Sequence, residues 1–302
     1  MINGIARKHW NCAKNLTSGL PDASQRCCVR IWISECVPSG GSSMKRIFKT
    51  PTVPEGLRKF AELYPDETWE HFRRANRRGY REVKKQLLKD QHGLCAYCEI
   101  NIKFADEEGE VDDFRVEHFY PKSETVLGEH NYHLDWQNLL GVCHGGSQPN
   151  VEDAEERFSR RKIDRSCDVP KGGKPISERI LNPLEIPADV RIYRYAAHTG
   201  RMIVDEETCP PELQRKARNT IRELNLNAPR LMRMRREAIQ VLEDEIENAL
   251  NAGEDMESFL TVLAESFLLP DSDGNCQAFF SLIRWFLGPA AENVLSEYNY
   301  AI

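Results

Sequence analysis

The stretch FRVEHFYPKSE, residues 114–124, sets an acid and a histidine, Glu117 and His118, side by side at the end of a predicted strand that Pro121 stops. A strand end holds two polar side chains rigidly, so the pair asks for a chemical reason. Three other pieces of the chain bear on it: CAYC at 95–98, DWQNLLGVCH at 135–144 and CDVPKG at 167–172.

Cys95 and Cys98 have two residues between them, the reach that lets thiolates of one tight turn take adjacent corners of a tetrahedral zinc. Cys143 and Cys167 can supply the other half. The segment between them, HGGSQPNVEDAEERFSRRKIDRS, has the composition of a surface insertion that the metal would hold at its ends. The expectation is a four-cysteine structural zinc site, because four protein ligands leave no open position for water. His144 is the rival fourth ligand, although adjacent residues rarely chelate one ion comfortably. For the first cysteine pair alone, a redox role is the alternative.

A hydrolytic phosphodiesterase needs a base to deprotonate water and a divalent cation to stabilise charge on the phosphate and leaving oxygen. His118 suits the first task. Glu117 with another oxygen ligand suits the second, and Asp168, next to Cys167, would reach the same place. Asn138 can hydrogen-bond loop backbone across a hairpin to fix the imidazole. Lys122 and Lys171 are candidates for phosphate.

Length and composition set the bounds. At 302 residues with 40% hydrophobic and 29% charged content, the chain should form about two packed units, or one with a sizeable appendage, of a soluble protein. No apolar run approaches the ~18 residues needed to cross a bilayer. Without a secretory signal pattern the expected compartment is the cytoplasm, where ten cysteines serve as metal ligands or free thiols rather than as a disulfide framework.

Charge is unevenly spread. Residues 66–92 have helical spacing of Trp69, Phe72, Tyr80, Val83 and Leu87, with Gly93 as the cap. Residues 70–90 carry eight Lys or Arg against three acids in a chain of net charge −6, which makes Arg77 and Arg81 candidates for a phosphate backbone. From Glu237 to Ile302 there are thirteen acids and one basic residue, Arg284, in helical text such as FFSLIRWFLG. That lobe would repel nucleic acid and is either self-packed or a docking surface. Residues 1–43 lack a clear period and read as an over-extended start or a disordered arm before Met44.

The order CAYC, VEHFYP, DWQNLLGVC, CDVPKG resembles the HNH nuclease motif in its zinc-bound ββα-metal form. The wider text, with CHGG, ILNPL at 180–184 and TIRELNLNAPRLMRMRR at 220–236, is similar to the retron- and Septu-associated, PtuB-like HNH proteins of antiphage systems. The resemblance covers roughly residues 44–236. It implies an α+β fold in which the ββα-metal core is flanked by helical regions. The expected division is 1–43 as extension, 44–92 as basic helical region, 93–185 as HNH domain and 186–302 as acidic helical region.

By that resemblance His118 matches the general base, Glu117 the acidic metal ligand, Asn138 the orienting asparagine and Asp168 the position where HNH proteins carry Asn or His. Aspartate ligates Mg²⁺ or Mn²⁺ at least as well, with His144 as a substitute. The resemblance further implies a PtuA-like ABC-type ATPase as partner, and the chain itself has no Walker A glycine loop. DNA is the favoured substrate. RNA, including tRNA, is the first alternative, since a site that grips phosphate reads little else. A catalytically silent zinc scaffold is the second.

Overall fold

The structure, a computed structural model, describes residues 45–105, 111–151 and 153–302. The expected extension at 1–43 lies outside the described residues. No helix among them is long and apolar enough to cross a membrane.

The described residues mix helices with two small antiparallel sheets, an arrangement of the α+β class. Among the described residues, three helices come first: α1 (Glu55–Leu63), α2 (Trp69–Ala75) and α3 (Arg77–Asp90). The single helix expected over 66–92 is thus broken. Asn76, at φ −130° and ψ 70°, ends α2, and its side chain then accepts from the Gly79 N–H to cap α3. At the far end His92 takes the left-handed conformation, and Gly93 N–H closes onto the Leu88 carbonyl.

The hairpin follows. Strands β1 (Phe114–His118) and β2 (Leu139–Cys143) pair antiparallel, with Phe114 opposite Cys143 and His118 opposite Leu139. Gln91, buried at the end of α3, clamps β2 at Gly141: its Nε2 donates to the Gly141 carbonyl at 2.7 Å, and its Oε1 accepts from the Gly141 N–H at 2.7 Å. A side chain at Gly141 would crowd that clamp, since a Cβ there would lie 3.3 Å from the amide. Two one-turn helices, α4 (Ala154–Arg157) and α5 (Asp168–Lys171), lie downstream.

A second hairpin, β3 (Tyr193–Ala196) with β4 (Arg201–Val204), turns at Gly200. There φ is +68° and a Cβ would stand 2.1 Å from the Met232 carbonyl oxygen, so only glycine fits. Helices α6 (Pro211–Glu223), α7 (Pro229–Ala252), α8 (Met256–Leu268), α9 (Phe280–Leu287) and α10 (Pro289–Glu297) complete the chain.

One buried cluster joins Cys95, Tyr97 and Phe114 of the first hairpin region to Ile239, Leu263, Phe280, Ile283 and Leu295 of the C-terminal helices. Nearly all of α9 is buried, so the apolar faces of the acidic lobe pack on the protein itself. Glu99 pins the joint: its carboxylate accepts from the backbone N–H groups of Lys45 and Ser281. A separate cluster gathers Leu57, Trp69, Phe72 and Val83 of the first helices onto Trp136 and Leu139. The first hairpin is therefore gripped between two cores.

Candidate active site

The four cysteines converge. Cys95 and Cys98 sit on a turn whose Ala96 N–H donates to the Gly141 carbonyl, Cys143 ends β2, and Cys167 precedes α5. All four sulfurs lie within 4.8 Å of one another. Separations are 4.0 Å for Cys95–Cys167, 3.6 Å for Cys98–Cys143 and 3.6 Å for Cys143–Cys167. A tetrahedron with Zn–S bonds of about 2.3 Å has edges of about 3.8 Å, so the donor set fits zinc.

Two backbone N–H groups point at sulfur, that of Cys143 to Cys95 and that of Gly145 to Cys143. Hydrogen bonds from Cys167, Cys95 and Cys98 hold the Cys143 thiol well below its ordinary value, while burial pushes Cys95 up. Four buried thiols brought this close together suit a metal that replaces their protons. Arg230 is buried beside them. Its Nη2 donates to Ser166, and its Nε and Nη1 have no hydrogen-bond partner among the described residues. A zinc with four thiolates would carry two net negative charges, one of which this guanidinium would offset. His144 stands outside the group; its Nε2 donates to the Asp112 carbonyl at 2.8 Å.

Strand alternation sends Arg115 and Glu117 to one face of β1 and Phe114, Val116 and His118 to the other. On the first face Glu117 meets α5. Lys171 Nζ lies 2.6 Å from Glu117 Oε1 and 2.9 Å from the His118 carbonyl oxygen. Arg115 grips Asp168 at both carboxylate oxygens, 2.8 Å from Oδ1 and 2.6 Å from Oδ2. Burial pushes the Glu117 carboxyl up to about 7, with Lys171 opposing and the nearby Asp168 charge adding to the rise. A buried and a part-buried hard-oxygen donor on neighbouring elements, Asp168 and Glu117, fit a divalent ion such as Mg²⁺ or Mn²⁺, which binds through one or two carboxylates and completes its sphere with water and phosphate.

On the second face His118 Nε2 lies 3.1 Å from the His133 carbonyl oxygen. A carbonyl only accepts, so Nε2 carries the proton and Nδ1 the lone pair. Trp69 of α2 stands edge-on at 5.2 Å between ring centroids. Burial holds His118 down to about 3, so the ring is neutral at physiological pH, the form a general base requires. Asn138 spans the loop between the strands: Nδ2 donates to the carbonyls of Tyr120 and Tyr132 at 3.0 and 2.9 Å, and Oδ1 accepts from the Tyr120 N–H at 2.7 Å.

The basic candidates divide. Arg77 and Arg81 are exposed on α3, with the Arg81 guanidinium 5.2 Å from the Phe104 ring centroid. Lys122 is tied to Glu70 of α2. Lys171, expected to reach phosphate, is 1% exposed and engaged by Glu117, since the short α5 turns it inward. Sequence reasoning passed over Arg115, although alternation with Glu117 marks it as a same-face neighbour. It also passed over His133, whose contribution is a backbone carbonyl, and Arg230, which is distant in sequence from every cysteine.

No family model matches the chain. A protein of Escherichia coli, named as the candidate HNH endonuclease of retron Ec83, is 34% identical over 216 residues, covering 65% of this chain and 79% of that protein. Identity at that level over most of the relative, with the paired strands and the cysteine cluster described above, means that the chain belongs to the HNH endonuclease family of the retron Ec83 protein and is an endonuclease.

Proposed function

We propose that the protein is a metal-dependent HNH endonuclease that hydrolyses phosphodiester bonds in DNA, and that it is the effector of an antiphage complex with a PtuA-like ABC-type ATPase. The observation that carries the catalytic reading is the end of β1, where the part-buried Glu117 meets α5 close enough to feel the Asp168 charge, and the next residue, His118, has its protonated nitrogen committed to a carbonyl. Glu117 and His118 are the last two residues of β1, and in this reading the scissile phosphate lies across the strand end, where Nδ1 of His118 accepts a proton from the attacking water. Asn138 and the His133 carbonyl keep the ring in that tautomer and direction. Glu117 and Asp168 would hold a Mg²⁺ or Mn²⁺ ion, which would supply Lewis-acid stabilisation of the developing phosphate charge. Zinc at Cys95, Cys98, Cys143 and Cys167 is structural, tying the hairpin to α5 so that Asp168 reaches Glu117.

Exposed Arg77 and Arg81 on α3 support backbone contact with nucleic acid. The partner and the antiphage role rest on the resemblance of the motif blocks. The acidic outer surface of α7 and α8, with Asp244, Glu245, Glu257 and Glu265 exposed, suits a protein rather than a polyanion. The test is cleavage of plasmid DNA and of total RNA by the full chain, with and without a co-expressed ATPase of that type. Loss of plasmid with intact RNA is expected. Loss of RNA alone would move the substrate to RNA.

A further inference from the structure

We infer that Lys171 is a built-in competitor of the divalent ion: its ammonium occupies the Glu117 carboxylate, and ion binding requires that it let go. The inference rests on the metal-dependent reading above and concerns what regulates that site.

Ordinary surface lysines pair loosely with carboxylates, and such contacts count for little. Lys171 is different on three counts. It is 1% exposed, its Nζ is 2.6 Å from Glu117 Oε1, and it issues from the same short helix as Asp168, one turn along. A divalent ion on that carboxylate would stand within about 4 Å of the ammonium, and two like charges at that separation in a buried site repel strongly. One of them must leave. Asp168 is similarly held by Arg115, so both carboxylates of the pair already carry an internal cation.

The geometry also says where Lys171 can go. Its second acceptor is the His118 carbonyl oxygen at 2.9 Å, about which the ammonium can turn away from Glu117 without losing both partners. That acceptor belongs to the general-base residue itself, so ion arrival changes the load on the backbone that carries His118. A resting site neutralised by its own cations is weak for metal until something offsets the ammonium, and the charge of a nucleic-acid phosphate is of the right sign.

The test is Mn²⁺ binding to the full chain, followed by the paramagnetic resonance of free Mn²⁺, which needs no turnover. Lys171→Met and Lys171→Gln are compared with wild type, and near-ultraviolet circular dichroism confirms that each is folded. The expected result is tighter Mn²⁺ binding in both variants, by about tenfold, because a competing charge has been removed from a buried carboxylate. Unchanged or weaker binding in folded variants overturns the inference, since a lysine that only braces Glu117 would loosen the ion when removed. Glu117→Gln separates the two levels: binding that survives Glu117→Gln in the Lys171→Met background is at another place and contradicts the metal-ligand reading itself.

Discussion

His118 and His133 are joined through a single bond of 3.1 Å from the Nε2 of one to the backbone carbonyl of the other. Tyr132, the residue before that carbonyl, is held by Asn138 at 2.9 Å. The direction of the imidazole is thus set by loop backbone, and the loop is set by one buried amide.

Asn138 is 2% exposed and makes three bonds to backbone. Asn138→Ala should cost about 2–4 kcal/mol of stability, because buried backbone groups lose their partners. Cleavage should fall by about a hundredfold through misdirection of His118. Urea unfolding and initial rates measure the two effects, and a variant with wild-type midpoint and rate would remove Asn138 from its positioning role.

The cysteine cluster predicts one tightly held zinc per chain. Elemental analysis should find it, and Cys143→Ser should lose both the metal and the cooperative thermal transition, since the sulfurs sit within the main core. A metal-free Cys143→Ser protein that melts as wild type does would contradict a structural zinc.

Arg77 and Arg81 face solvent on α3. Reversing either to Glu should weaken nucleic-acid binding by about tenfold and lower the slope of log affinity against log salt by about one. An unaltered slope would place the polyanion elsewhere.

Lys49, which donates to the carbonyls of Trp136 and Leu139 on either side of Asn138, gives a pH signature in stability. Burial holds it down to about 7, with its ammonium over the Trp136 ring at 3.9 Å. Because the folded value lies below the unfolded one, the associated stability is present above the ordinary lysine value. It is lost as pH falls toward 7, where the charged form must be buried. Wild type should therefore gain stability relative to Lys49→Met between pH 7 and pH 10, read as converging or crossing melting temperatures. Parallel curves would contradict it.

Much of this was legible in the text of the chain. The spacing of Cys95 and Cys98, with Cys143 and Cys167 beyond, foretold a cluster because zinc demands few residue types at short reach. The end of the first strand followed from the break at Pro121, and the hairpin from Asn138 as a residue able to bond loop backbone across it. Other features escaped for physical reasons. Asn76 breaks the first helix by capping, a local choice that the apolar period of Trp69, Phe72 and Tyr80 runs straight across. Lys171 was read as a free cation because a lysine in CDVPKG gives no sign that a four-residue helix turns it inward. The burial of α9 depends on contacts with the first hairpin region nearly two hundred residues earlier, for which no local pattern exists.

The most direct measurement is cleavage of plasmid DNA by wild type and His118→Ala in Mg²⁺, Mn²⁺ or EDTA, with retained zinc and circular dichroism confirming that both are folded. Metal-dependent cutting by wild type, abolished by EDTA and by His118→Ala, is the predicted result. Cutting that persists in folded His118→Ala, or in EDTA with zinc retained, would contradict the assignment of His118 as base with a divalent ion on Glu117 and Asp168.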